Sequence, residues 1–258
     1  GSFAAPILLV AFAEAFGWRS AFYLAGVPGI VSAILLWFLI DEPAPPAPAV
    51  SAEGERKIGV MHVLMQRNVW VCVVLGVLLV SYLVICWAFM PLFLTQARGY
   101  APDAMGWLMG TLGVSAAVAA FLITGLSDKI GRRPVMVVMP FVAMILPLAA
   151  LYYQGPAWMM ALLFFIGWSM NGIFPMFMAT VPSESVDPLH TATALGLTMG
   201  VAEVLGGVFA PALAGMAADA TSLAAPLWIM LALTAASGFI ALFLEETAPS
   251  QQAKRTGY

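Results

Sequence analysis

Long apolar runs dominate the sequence, and short polar segments separate them. Runs of about twenty residues, the length that a helix needs to cross a bilayer, occur at seven places. They lie at roughly residues 20–40, 69–95, 103–126, 134–153, 157–181, 191–217 and 222–244, and a partial run covers residues 1–16. Because the runs are long and their connections are short, they predict membrane helices rather than the alternating strands of a barrel.

The composition agrees with this pattern and excludes several classes of protein. Charged residues make up 9% of the 258 residues and hydrophobic residues make up 62%, and the mean hydropathy is +0.98. An ordinary soluble domain carries roughly 25% charged residues to solvate its surface. Soluble enzymes and disordered regulators are therefore excluded, and a net charge of −3 offers no basic patch for nucleic acid. We predict an integral multi-pass membrane protein embedded in the lipid bilayer.

The basic residues predict the orientation, since cytoplasmic loops carry an excess of Lys and Arg. If the loop after residue 126 is cytoplasmic, eight basic residues lie inside and two, Arg19 and Arg98, lie outside. The eight are Arg56, Lys57, Arg67, Lys129, Arg132, Arg133, Lys254 and Arg255. The C-terminus is then expected in the cytoplasm.

The longest polar stretch divides the chain into parts. Residues 1–40 are interpreted as the end of one helical half, with a partial helix and one full span. Residues 41–68 are a cytoplasmic linker, Pro-rich at first and then carrying a short helix over 58–67 that is expected to lie on the membrane surface. Residues 69–244 form a six-helix transmembrane domain, and 245–258 form a cytoplasmic tail.

One loop carries an unusual density of charge and glycine. Residues 125–134 read GLSDKIGRRP. Gly131 is expected to permit the chain reversal, and Gly125 to let a neighbouring backbone approach. Asp128 and Arg132 are four residues apart, so their side chains can pair or reach a neighbouring helix end. On spacing alone, an ordinary loop whose basic residues only fix the orientation is an open alternative.

This loop is similar to the cytoplasmic signature of the major facilitator superfamily, which has the pattern Gly-x-x-x-Asp-x-x-Gly-Arg-Arg. Asp128, Gly131, Arg132 and Arg133 stand at matching positions, and Gly125 lies three rather than four residues before Asp128. Other features resemble the family along the chain: the GWRSAFY segment at 17–23 looks like the start of its sixth helix, the Pro-rich linker lies where its halves join, and PSE at 182–184 looks like its tenth-to-eleventh helix loop.

The resemblance implies an all-α bundle of the family type. The chain would hold the C-terminal six-helix half plus one full and one partial helix of the N-terminal half, and the first four helices would be absent. It also implies transport by alternating access, with a site near the midplane. Residues 125–133 would act as a gating loop that interlocks with the missing helices or with a partner half.

Within the family, the closest resemblance is to bacterial proton-coupled importers of organic anions such as sugar acids or aromatic carboxylates. This implies a small-molecule solute, protons as the coupling ion, symport and a location in the bacterial inner membrane. Two alternatives remain open: a drug or sugar exporter, and a truncated half-size membrane protein without transport activity of its own.

Enzymatic chemistry and bound cofactors are not expected. No nucleophile, base and orienting group occur at workable spacing. The two histidines, His62 and His190, lie in loops and belong to no cluster with metal-ligand spacing.

Glu203 is the acidic residue placed well inside a predicted span. A charge at the bilayer centre costs at least roughly 2.5 kcal/mol, so this carboxyl must be protonated, paired or in contact with a wet cavity. Small residues at spacings of three and four predict that this face packs against protein: Thr193, Gly196, Gly200, Gly207 and Pro211. Glu203 is a candidate for proton coupling or solute contact, and the alternative is a protonated structural glutamate.

Four further residues at membrane depth are candidate solute contacts. Tyr82 lies near mid-span and could present its hydroxyl to a cavity, and Trp87 and Trp168 could line an aromatic pocket. The alternative for the aromatic residues is packing or lipid contact. The amide of Asn171 needs a hydrogen-bond partner at this depth, which makes it a candidate too.

Overall fold

The computed structural model describes residues 15–39, 60–249 and 251. It divides the chain into two units, Gly1–Lys57 and Ile58–Tyr258. The predicted partial helix at 1–16 lies outside the described residues except at its last two positions, and so do the Pro-rich part of the linker and the tail after residue 251.

The described part of the first unit is one long helix, α1 (Trp18–Leu39). Gly17 has a φ of +85°, a conformation that glycine adopts without a steric penalty, and it sets the start of the helix. The Ser20 hydroxyl donates to the Gly17 carbonyl oxygen over 2.5 Å. The apolar run at 20–40 is therefore confirmed as a helix.

The second unit consists of helices in all its described regular segments. It begins with α2 (Val60–Leu64), α3 (Arg67–Leu92) with a π-helical end (Phe93–Ala97), and α4 (Pro102–Ile130). Next come α5 (Arg132–Ala143), α6 (Ile145–Tyr152), and α7 (Ala157–Trp168), which continues through 3-10 (Ser169–Ile173) and π-helical (Met176–Thr180) turns into α8 (Val181–Glu184). A 3-10 turn (Pro188–His190) then leads into α9 (Thr191–Val201), a π-helical segment (Ala202–Phe209), α10 (Ala210–Ala220) and finally α11 (Ala225–Ala241).

Six of the described helical stretches are long and apolar enough to cross a membrane. They are Phe22–Leu39, Arg67–Ala97, Pro102–Ile130, Arg132–Tyr152, Ala157–Glu184 and Pro188–Ala220. The last predicted span is a shorter apolar helix, Ala225–Ala241. These helices confirm the predicted all-α membrane fold.

Helix α3 lies at the centre of the second unit and packs against α11 and the π-helical segment Ala202–Phe209. A Cβ added at Gly76 would lie 2.8 Å from the Ala202 Cβ, and one added at Gly206 would lie 2.7 Å from the Val77 carbonyl oxygen. Both glycines therefore permit a close approach of the two helices.

The short helix predicted over 58–67 is observed as α2, but its end differs from the prediction. Arg67 is the first residue of α3 rather than part of the surface helix. Val63 is buried in a small cluster with Val69 and Ala194, so α2 packs on the end of the bundle. The periodicity of the sequence could not predict that Val63 is buried against these residues.

Candidate functional site

A network of charged side chains joins one end of the second unit. Arg132, at the start of α5, pairs with Asp128 at the end of α4 and with Glu184 at the end of α8. The Nη2–Oε1 distance to Glu184 is 3.1 Å, and Nη1 also donates to the Ser127 hydroxyl over 2.9 Å. The Arg132 side chain is only 9% exposed, so its charge depends on these partners.

Glu184 extends the network to the segment that follows α11. Its Oε2 accepts a hydrogen bond from the Thr247 hydroxyl over 2.6 Å. Next to it, the Glu246 carboxylate accepts from the backbone N–H groups of Arg132 (2.8 Å) and Arg133 (3.1 Å). A carboxylate at a helix N-terminus is stabilised by the helix dipole and satisfies otherwise unpaired amides.

A second group of polar contacts lies beside this network. Arg67 pairs with Glu245 over 2.7 Å, and both side chains are largely exposed. Asn68 is buried, and its amide donates to the Ser185 hydroxyl (3.0 Å) while its Oδ1 accepts from the Glu245 N–H (2.8 Å). The start of α3, the end of α8 and the segment after α11 are thereby joined.

The gating-loop predictions have mixed outcomes. The Asp128–Arg132 pair is confirmed, and Gly131 has the positive φ, +113°, that a reversal by glycine requires. At Gly125 no described residue lies within 4 Å of an added Cβ, so the close approach expected there stays a prediction. Among the described residues, the exposed Arg133 side chain does not join the ion pairs; its Nη2 donates to the Leu242 carbonyl oxygen over 2.9 Å.

Spacing along the sequence does not reveal that Arg132 meets Glu184 and Glu246. The signal that points to these contacts is position, because acids at the ends of α8 and α11 can meet the arginines that begin α5 if all these ends lie on one side.

The same end holds a polar cavity of about 360 Å³, which brings the two histidines together. His62 and His190 line it with Glu184 and Asp187. Among the described residues, no group of three or more His, Cys, Asp or Glu could hold a metal ion.

Glu203 lies in the π-helical segment Ala202–Phe209, and its side chain is exposed. Its Oε2 lies beside Gly207, 3.4 Å from a Cβ added there. The adjacent Ala202 and Gly206 are buried against α3, so this stretch of backbone is anchored while the carboxyl is accessible.

Two glycines of the small-residue stripe have no packing neighbour among the described residues. Nothing in the described chain lies within 4 Å of a Cβ added at Gly196 or Gly200. The residues that pack against α3 lie on another face of the same helix: Ala194, Thr198, Ala202 and Gly206. Within the described residues those two glycines therefore pack on no other helix, and the packing of this face against protein stays a prediction.

The structure brings three of the four other candidates into one aromatic cluster. The Trp168 ring lies 5.9 Å from the Tyr82 ring and 5.7 Å from the Trp87 ring, the latter in an edge-to-face arrangement. Tyr82 and Trp168 are buried, and Trp87 is 38% exposed. The Tyr82 hydroxyl donates to the Ala143 carbonyl oxygen over 3.2 Å. Contrary to the expectation, it therefore does not face a cavity.

Asn171 lies one turn beyond Trp168, in the 3-10 segment Ser169–Ile173. Its Nδ2 donates to the Trp168 carbonyl oxygen over 3.1 Å, which provides the partner expected for an amide at this depth. The half-buried Asn171 side chain thus lies next to the aromatic cluster.

Two comparisons with known proteins complete the description. The family model described as Major Facilitator Superfamily matches residues 1–96 and 83–257, which together span nearly all of the chain. A search of curated proteins finds no match.

Proposed function

The chain belongs to the major facilitator superfamily, and on that premise we propose that it catalyses proton-coupled uptake of an organic anion by alternating access. Family membership itself supports membrane transport of a small solute in general. The proposal adds the coupling ion, the class of solute, the direction and the residues. Sugar acids and aromatic carboxylates are the proposed solutes, and the bacterial inner membrane is the proposed location.

The proposed proton coupling depends on the position of Glu203. It is a carboxyl at the middle of a membrane helix, exposed on a segment that Gly206 and Ala202 hold against α3. Among the described residues, the interiors of the spans contain no Lys or Arg that could neutralise it. We propose that this carboxyl carries the coupled proton as access alternates, since ionisable groups at membrane depth mark proton pathways.

Trp87 is the proposed point of solute contact. Its ring is partly exposed at membrane depth, and the buried Trp168, which itself packs on Tyr82, contacts it edge-to-face. Flat aromatic walls suit a ring-bearing solute, because offset and edge-to-face contacts add to the burial of apolar surface. Asn171, next to this cluster, can supply an amide donor or acceptor to the solute.

An anionic solute also requires a positive partner at its site. None of the span interiors in the described chain offers one, so the anion assignment rests on the resemblance to organic-anion importers. The N-terminal helices implied by the same resemblance are where the cation is proposed to lie.

The charged network around Arg132 is the proposed gate. Its ion pairs link α4, α5 and α8 at one end, which we assign to the cytoplasm from the distribution of basic residues. We propose that this network holds the second unit rigid while the two halves rock around the solute.

Uptake into proteoliposomes tests the proposed function directly. Labelled sugar acids, aromatic carboxylates and their neutral analogues would be compared with and without an inward proton gradient. We expect gradient-stimulated accumulation of one class of anion and none of its neutral analogue. Accumulation that ignores the gradient would contradict proton symport, and preferential transport of neutral or cationic compounds would favour a sugar or drug exporter.

A further inference from the structure

A groove with one polar end and one apolar wall runs along the surface of the second unit, between the start of α5 and the end of α11. Its volume is about 460 Å³. Its polar lining residues are Arg133, Glu246 and Gln251, and its apolar ones include Ile130, Val138 and Leu242. The groove is separate from Glu203 and from the aromatic cluster.

The apolar wall continues deeper along both helices. Phe141 lies three residues after Val138, and Phe239 lies three residues before Leu242, so each pair shares a helix face. The two phenylalanine rings are 5.7 Å apart in an edge-to-face arrangement. Val138, Leu242 and Phe239 are each about half exposed, which leaves a continuous apolar track at membrane depth for a hydrocarbon chain.

The polar end of the groove carries an exposed cation. The Arg133 side chain is exposed, and its hydrogen bond to the Leu242 carbonyl oxygen (2.9 Å) holds the guanidinium at the groove. Glu246 also lines the groove, and its carboxylate accepts from the backbone N–H groups of Arg132, Arg133 and Ala248, which hold it against the start of α5.

A further cation lies close to this end. The exposed Lys129 is held beside Gln251, whose side-chain amide donates to the Lys129 carbonyl oxygen over 2.7 Å. Exposed cations at a membrane interface attract anionic headgroups.

We propose that this groove is a binding site for an anionic phospholipid. The headgroup phosphate contacts Arg133, and one acyl chain lies along Val138 and Leu242 toward Phe141 and Phe239. A phospholipid matches the groove because its charged headgroup is followed by acyl chains, as the charged end of the groove is followed by an apolar wall. The two exposed cations at this end, Arg133 and Lys129, favour an anionic over a zwitterionic headgroup. This site is independent of the proposed solute and coupling ion.

Lipid binding to the purified intact protein tests the preference for an anionic headgroup. Native mass spectrometry would compare phosphatidylglycerol with phosphatidylcholine of the same acyl chains. We expect one tightly retained phosphatidylglycerol per protein. Arg133→Gln should weaken its binding about fivefold, the effect of one interfacial cation, while Arg133→Lys should keep most of the preference. Equal binding of the two lipids by the unsubstituted protein would overturn the proposal.

A second pair of variants tests the acyl groove. Val138→Trp fills the groove, whereas Leu122→Trp places the same ring on an exposed apolar position of α4 outside it. The first should lose retained phosphatidylglycerol and the second should not. Equal retention by both variants, or equally tight binding of glycerol 3-phosphate without acyl chains, would overturn the proposal.

Discussion

Arg132 and Glu184 form an ion pair of 3.1 Å across 52 residues of sequence, and it joins the start of α5 to the end of α8. The Arg132 side chain is 9% exposed and that of Glu184 is 25% exposed. Removing one partner from such a pair leaves an uncompensated charge in a poorly solvated place, which costs more than the pair contributes when intact.

Replacing Arg132 by Gln should therefore lower the free energy of unfolding by roughly 3 kcal/mol. The matched control is Arg67→Gln, because Arg67 also pairs with a glutamate but is 52% exposed, and we expect a loss of less than about 1 kcal/mol there. Thermal unfolding in a lipid nanodisc measures both changes. Similar losses for the two variants would contradict the assigned importance of burial.

Gly131 should not tolerate a side chain. Its φ of +113° is strained for any L-residue, and Glu246 lies where a Cβ would be. We expect Gly131→Ala to destabilise the protein by about 2 kcal/mol and to disturb the carboxylate cap of α5. Gly125→Ala in the same loop region is the control, since the space there is open and alanine favours a helix. An unchanged stability of Gly131→Ala would contradict the positive φ assigned to this residue.

The close approach of α3 to the segment Ala202–Phe209 should depend on Gly206. A Cβ there would lie 2.7 Å from the Val77 carbonyl oxygen, so the helices must move apart in Gly206→Ala. We expect a loss of about 1–3 kcal/mol, as for an overpacked core. Gly200→Ala, at an open position one and a half turns earlier, should be neutral or slightly stabilising. Unfolding midpoints of the two variants, measured side by side, test whether only Gly206→Ala loses stability.

Tyr82 and Trp87 should differ in what they affect. Tyr82→Phe removes a buried hydrogen bond to the Ala143 carbonyl oxygen, so stability should fall by about 1 kcal/mol while solute affinity hardly changes. Trp87→Ala removes an exposed ring, so solute affinity should fall at least tenfold with a smaller loss of stability than a buried tryptophan would give. Unfolding curves and solute binding on the same preparations separate the two roles. A larger affinity loss for Tyr82→Phe would contradict this assignment.

The apolar runs were sufficient to predict the helices, because a membrane helix must satisfy its backbone within one segment. The pairing of Asp128 with Arg132 could be predicted as well, since residues four apart share a helix face. The contacts of Arg132 with Glu184 and of Glu246 with α5 could not, because they depend on how distant helix ends meet. The packed face of α9 was also missed: small residues line two faces of that helix, and only the position of α3 distinguishes them.

Proton-driven uptake by Glu203→Gln tests the central claim most directly. The intact protein and two variants, Glu203→Gln and Asp219→Asn, would be compared in proteoliposomes with and without an inward proton gradient. Asp219 is an exposed acid at the end of the same helical stretch, so its variant controls for the loss of a charge. The account predicts that the gradient stimulates uptake by the unsubstituted protein and by Asp219→Asn, and leaves Glu203→Gln at its rate without a gradient. Full gradient-driven uptake by Glu203→Gln would contradict it.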